Sequence, residues 1–505
     1  MKMLQGKRCF RWVRENRREV GVLLLVLLVA GFCRLWRIDE YMTFLGDEGR
    51  DATVVRRLLV NKDIVLVGPT TSIGDMYLGP LYYYMMAPAM FLSGMNPVGP
   101  AAMVAVLGVV TVGLVWWVGR EWFGKWGGLA AAWLYAISPV VITYSRSSWN
   151  PNVMPFFALL LVWAVWKVWQ KRDFKWLVVA GGVAGFLLQS HYLGLLLVPT
   201  VAIFWLVAAL RERKGRDWKR FLALTVLGCI VFGVLMSPLV VFDGRHGWRN
   251  AAAIRKFFTV RQETVNIKPW KSLANIWPIS RQVETRLLAG KDAGWGGWLS
   301  VILLGGSAGL LVVTKRRRAL GLVWVWFIVG ICGLGLYKQH IYDHYFGFIF
   351  PAPFLMGGFL VSEISGRWKT VGRWLVAGLV AVLTFVALKE NPLRYPPNRQ
   401  MYHAMEVAGK VEVESGGEPF NFGLVAERNY DAGYTYFFEM WGSPWIGIDP
   451  QRLDRTLTRQ LFVVCEGECN PVGHPKAEIA NFGWSKIEGE WGFPWGVKLF
   501  RLVHF

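Results

Sequence analysis

From residue 20 to residue 388, long uncharged apolar runs alternate with short charged connections. Stretches such as 297–314 carry no charged side chain over a length that matches a hydrocarbon core of roughly 30 Å. The pattern predicts eleven transmembrane helices, near 20–37, 98–118, 127–144, 152–168, 175–190, 192–210, 221–241, 297–314, 319–337, 345–364 and 371–388. One apolar segment, 78–92, does not fit the series. Its start, Tyr77-Leu78-Gly79-Pro80-Leu81-Tyr82-Tyr83-Tyr84, is short and tyrosine-rich, which suits a helix lying in the membrane interface. After about residue 389 the pattern changes. Residues 420–427, 461–466 and 496–503 read as strands, and 401–413 and 450–461 as helices. The expected fold class is an all-α polytopic membrane protein followed by a small α/β domain over 389–505.

Composition agrees with that class. Of 505 residues, 54% are hydrophobic and 18% charged, against about 25% charged in soluble proteins. The net charge of +22 sits largely in clusters between apolar helices. The positive-inside rule accounts for such clusters without a nucleic-acid partner. The basic N-terminus, 1–19, includes Lys7, Arg8, Arg11, Arg14, Arg17 and Arg18 and precedes the first span as an uncleaved signal anchor. With 78–92 off the spanning path, the basic connections 120–125, 167–175, 211–220, 315–318 and 367–373 all share its cytoplasmic side. The first loop 38–97, the loop 242–296 and the tail then face outward. The expected location is a multi-pass plasma membrane protein with its polar clusters on the extracytoplasmic face. Cys465 and Cys469, four apart in the tail, read equally as a disulfide or as two thiols. The tail tryptophans 441, 445, 484, 491 and 495 read by default as core.

Three outward clusters carry candidate chemistry. The first is Phe44-Leu45-Gly46-Asp47-Glu48-Gly49-Arg50-Asp51, with Tyr82 and Tyr83 following. A carboxylate within hydrogen-bond reach of a hydroxyl can act as its general base. Acids at a helix start are also favourable as caps, and Asp47 best suits that position. The second is Tyr144-Ser145-Arg146-Ser147-Ser148-Trp149-Asn150-Pro151-Asn152. Arg146 can hold a phosphate bidentately or lie at the headgroup level as a generic anchor. The third runs from Lys338 through His340, Asp343, His344 and Tyr345. Its two histidines and acid could hold a divalent metal on a continuous helix, though no metal is required. His191 and Tyr192 stand at the same face. No P-loop or G-x-G-x-x-G is present, so no nucleotide-binding motif stands out.

These clusters, in this order, resemble the GT-C glycosyltransferases of the protein O-mannosyltransferase type (glycosyltransferase family 39) and bacterial relatives that use polyprenyl-phosphate sugars. The carriers are Asp47-Glu48, Gly79-Pro80-Leu81-Tyr82-Tyr83, Tyr144-Ser145-Arg146 and His344-Tyr345, within about 20–390. The resemblance implies a GT-C fold and an inverting transfer of a sugar, mannose-like or another hexose. The donor would be a polyprenyl-phosphate sugar, and the acceptor a hydroxyl on a glycan, lipid or protein. It implies Asp47 as base and Glu48 as its support. Arg146 is the first phosphate ligand to consider, with Lys338 and His344 next. Arg50, Asp51, Tyr82, Tyr83, His191, Tyr192, His340, Asp343 and Tyr345 complete the substrate-binding set. Asn150, Asn152 and 95–99 depart from the family pattern, where an acid and an arginine are common. A lipid or glycan transporter, and a noncatalytic envelope assembly protein, are the alternative readings.

Overall fold

Helix occupies each of the eleven expected apolar runs in a computed structural model that describes residues 11–71, 76–259, 264–266 and 268–505. Lys7 and Arg8 of the basic N-terminus lie outside the described residues. Among the described residues, seven helices are long and apolar enough to cross a membrane. An eighth is added if Asp343–Ile349 and Pro351–Arg367, bent by 56°, count as one span. The remaining three miss for local reasons. Arg17–Leu35 carries Arg17, Arg18, Glu19 and Arg34. The third run breaks at Ser138, where Lys125–Ile137 ends and Pro139–Tyr144 begins. Trp176–Ser190 has 15 residues, about 22 Å of helix.

Ion pairs gather the basic connections at one end of the bundle. Arg120 Nε lies 2.6 Å from the fully buried Glu19, and Lys167 Nζ 2.8 Å from Glu121. Arg172 lies 2.6 Å from Glu212, and Arg316 lies 3.2 Å from Glu363. Ser362 Oγ donates to the Phe123 carbonyl and accepts from Arg316, which ties the late helices to the early ones. Glu19 and Glu212 are buried, which makes their two ion pairs costly to break.

The opposite end holds Leu81–Leu92. Leu81 N–H donates to Gln189 Oε1 at 3.1 Å as this helix begins. Just past its end, Tyr436 of the C-terminal domain bonds to the Met95 carbonyl. Both termini therefore lie at one end of the bundle, and 12 residues span only about 18 Å. The helix does not cross.

The C-terminal domain is built on a four-stranded sheet: β1 (Asn421–Val425), β2 (Gln460–Glu466), β3 (Ser485–Gly492) and β4 (Val497–His504), in the order β1-β2-β4-β3. β1 and β2 are parallel, and the other pairs are antiparallel. Leu461 to Cys465 of β2 are wholly buried, as expected of a central strand covered on both faces. The helices Gln400–Ser415, Ala432–Trp441 and Ala477–Phe482 pack around it. The expected helix over 450–461 shrinks to Leu453–Thr456, because Gln460 and Leu461 already belong to β2. β3 was not legible in the sequence, since its charged alternation suits an exposed edge strand. The expectation of core tryptophans is also corrected. Trp441 and Trp484 are exposed and Trp445, Trp491 and Trp495 only half-buried, because aliphatic and phenylalanine side chains fill the sheet interior. Cys465 and Cys469 are disulfide-bonded.

Candidate active site

The Gly46–Val60 helix opens with Gly46-Asp47-Glu48-Gly49, and its glycines allow a close approach. A Cβ on Gly46 would meet the Tyr430 ring, and one on Gly49 would overlap the Ala432 carbonyl. The C-terminal domain thus seats against the amino end of this helix. Asn429 Oδ1 accepts from Gly46 N–H at 2.9 Å and fixes the contact.

The three acids of this segment divide into distinct roles. Glu48 is buried, and its carboxylate accepts from Leu45 N–H at 3.1 Å. It reaches back to close the helix start, so the cap expected of Asp47 is supplied by Glu48 instead. Burial pushes Glu48 up to about 7. Asp51 is fully buried, and Arg50 Nε and Nη2 donate to its Oδ1 at 3.0 and 2.7 Å. Tyr83 donates to the same oxygen at 3.0 Å, while Asp51 Oδ2 has no partner among the described residues. Burial holds Asp51 up at about 6 despite Arg50 beside it. Asp47 differs from both, with its side chain 37% exposed. Arg50 Nη1 donates to its Oδ1 at 2.8 Å, and Tyr430 donates to the same atom. Asp47 is therefore the acid that is both oriented and accessible.

The neighbouring elements close around this trio. Tyr82 and Ser148 share a buried hydroxyl bond of 2.9 Å. Asn150 Nδ2 donates to the Ser190 carbonyl at 2.6 Å. His344 lies 4.5 Å from Trp149 and 6.0 Å from His191 by ring centroids, and Tyr345 lies 5.6 Å from His191. Tyr192 stacks on His191 at 4.7 Å. Asp343 and, less strongly, the Asp47 carboxylate act electrostatically on His344. Asp343 accepts from Arg286 Nε at 2.7 Å in an ion pair.

Other sequence candidates fall elsewhere. Arg146 is buried, with Nη1 donating to the Cys33 carbonyl at 2.6 Å and Nη2 to the Trp36 carbonyl at 2.7 Å. Those carbonyls close the Arg17–Leu35 helix, so the guanidinium caps a helix end in this structure. The Tyr41 ring covers it, with its centroid 5.1 Å away. Lys338 and His340 are exposed, and His340 packs edge-on to Tyr342. The helical turn begins at Asp343, so His340 and His344 do not share a helix face. Among the described residues, no three His, Cys, Asp or Glu side chains converge as metal ligands. Asn429 and Tyr430 were missed from the sequence. No motif marks them, and 383 residues separate Tyr430 from Asp47.

Known proteins share parts of this arrangement. Residues 78–240 match the dolichyl-phosphate-mannose-protein mannosyltransferase family. YkcB of Bacillus subtilis (strain 168), provisionally named a mannosyltransferase, is 26% identical over 236 residues. That match covers 45% of this chain and 32% of YkcB, so this chain spans about a third of its relative's length. Among solved structures, ArnT from Cupriavidus metallidurans bound to undecaprenyl phosphate superposes with a TM-score of 0.60 at 13% identity. The match covers 97% of this chain and 98% of that one. An Archaeoglobus fulgidus oligosaccharyltransferase tethered to an acceptor peptide gives 0.52 at 15% identity, covering 86% and 64%. At such identities the likeness is one of fold, and this chain has the fold of the GT-C membrane glycosyltransferases.

Proposed function

We propose that this chain is an inverting glycosyltransferase that moves a hexose, such as mannose, from a polyprenyl-phosphate donor to an acceptor hydroxyl outside the plasma membrane. The observation that carries the reading is Asp47. It is the accessible acid of its trio, held in place by Arg50 and Tyr430. Asp47 takes the proton of the acceptor hydroxyl as its oxygen attacks the anomeric carbon. The bond from that carbon to the phosphate oxygen breaks, and polyprenyl phosphate leaves with the electron pair. Attack from the face opposite the phosphate inverts the configuration. Orientation and electrostatic stabilisation supply most of the barrier lowering in such a step.

Arg50 orients the base and puts a fixed positive charge beside the reacting groups. His344, Lys338 and the part of Arg50 open to solvent are the groups we assign to the donor phosphate. Arg146 is not carried into this set, because its two terminal nitrogens are committed to backbone carbonyls. The undecaprenyl phosphate bound by ArnT and the mannosyltransferase name of the matched family support a polyprenyl-phosphate sugar donor. Gathering the basic connections at the far end of the bundle supports an outward-facing site under the positive-inside rule.

The test is transfer itself. The full chain in lipid nanodiscs is supplied with radiolabelled polyprenyl-phosphate mannose, and envelope glycans from cells with and without the protein identify the acceptor by mass spectrometry. Transfer with inverted anomeric configuration, lost in Asp47→Asn, is expected. Undiminished transfer by that variant removes the base assignment.

A further inference from the structure

Beside the Asp47 helix, between the first loop and the C-terminal domain, lies a cavity of about 370 Å³. That volume is within the range of small-molecule sites, and its lining mixes aromatic and polar groups as such sites do. Phe44 and Leu45 form its wall on the membrane-domain side. On the other side, the His403 and Trp495 rings stack with centroids 4.1 Å apart and planes within 5°. Burial, with Arg399 nearby, lowers His403 from its ordinary value.

The polar groups around the cavity have bonding capacity left. Glu466 Oε1 accepts from Tyr434 OH and from Asn429 Nδ2, each at 2.7 Å. Among the described residues, no bond is assigned to Glu466 Oε2. Gln400 Oε1 accepts from Phe44 N–H at 3.1 Å, which turns its amide donors outward from that bond. An acceptor carboxylate, an amide donor and a flat apolar ring suit a molecule with hydroxyls on its edges and C–H groups on its faces. Among the described lining residues there is no lysine or arginine, and a carboxylate is present. A phosphate or other anion would meet like charge from the lining carboxylate.

The cavity also adjoins the base from two directions. Leu45 of its lining is two residues before Asp47. Asn429 of its lining precedes Tyr430, whose hydroxyl holds Asp47. We propose that this cavity binds an uncharged saccharide unit of the acceptor, stacked on Trp495 and bonded by Glu466 and Gln400, so that a neighbouring hydroxyl reaches Asp47. The acceptor is then a glycan or glycosylated molecule. This rests on the glycosyltransferase reading above and names the acceptor class of that site.

Binding of uncharged sugars tests it without turnover. Full-length protein in nanodiscs is titrated with methyl α-mannoside, maltose and chitobiose, followed by saturation-transfer NMR. Wild type and Asp47→Asn should both bind at least one of the three. Trp495→Ala and Glu466→Gln should bind it at least tenfold more weakly, and Trp495→Phe should recover most of the loss. If none of the three binds wild type, or if Trp495→Ala binds like wild type, the cavity is not a saccharide site. That result leaves the base assignment standing. Absence of transfer by wild type would instead overturn the enzymatic reading whatever the cavity binds, and full transfer by Asp47→Asn would overturn only the base assignment.

Discussion

Tyr430 donates its hydroxyl to Asp47 Oδ1, bringing together two residues 383 positions apart. The same hydroxyl accepts from Arg50 Nη1 at 3.1 Å, so Asp47, Arg50 and Tyr430 form one closed set. The C-terminal domain is thereby part of the candidate site. A general base contributes about 10²–10⁴-fold, so Asp47→Asn should reduce transfer by that factor at normal expression. Tyr430→Phe removes only an orienting bond to a charged group. A loss of about 1.4 kcal/mol in the transition state predicts a roughly tenfold fall in kcat. Steady-state kinetics with labelled donor separate the two. Equal effects from both variants would mean that Tyr430 does more than orient.

Asp51 gives the site a pH dependence. Burial raises it to about 6, while Arg50 and Tyr83 bond to one of its oxygens. Below that value Asp51 takes up a proton and its ion pair with Arg50 is lost. Arg50 is then no longer held between the two acids, and the aim of Asp47 loosens. The expected profile rises from pH 5 to pH 7 with an inflection near 6. Asp51→Asn should lower the plateau and remove that inflection. An unchanged inflection in the variant would assign it to another group.

Arg146 separates two readings of one residue. Its terminal nitrogens cap the Cys33 and Trp36 carbonyls inside the protein. A lysine keeps the charge but loses the planar fork that serves two carbonyls at once. Arg146→Lys should therefore destabilise the protein by about 1–3 kcal/mol, read as a lower melting temperature in detergent. The folded fraction should keep its KM for donor within twofold. A variant that melts like wild type but loses donor affinity would restore a phosphate role.

Much of this was legible from pattern. The apolar periods place all eleven helices, and the shortness of 78–92 marks it as non-crossing. Both follow from local sequence, because a bilayer demands long apolar runs whatever surrounds them. Asp47 and its neighbouring acids were legible because carboxylates are sparse in such a chain. What their oxygens do was not. Whether Glu48 or Asp47 closes the helix depends on backbone geometry at Leu45. Arg146 looked like a phosphate ligand because the sequence does not show which carbonyls lie across the bundle. Tyr430 and the cavity beside Trp495 depend on domain docking, which neither composition nor period records. Gly46 and Gly49 were visible, but only the approach of Tyr430 and Ala432 explains them.

Glu284 tests the packing away from the candidate site. It lies in the Ile276–Leu287 helix, outside the candidate spans, is fully buried, and neither carboxylate oxygen has a partner among the described residues. Burial alone raises it from 4.5 to about 8. Between those values the unfolded chain has released this proton while the folded protein still holds it. The folded state binds more protons there, so stability falls as pH rises from about 4.5 to 8 and levels off above. Crossing the whole window costs about 5 kcal/mol. Glu284→Gln has no proton to lose and should not show this decline. The two proteins should melt at similar temperatures at pH 5, and the variant should be the more stable at pH 8. Melting curves across this range measure the difference, which cancels the groups the two proteins share. A constant difference at every pH would mean that Glu284 is ionised or solvated in the folded protein.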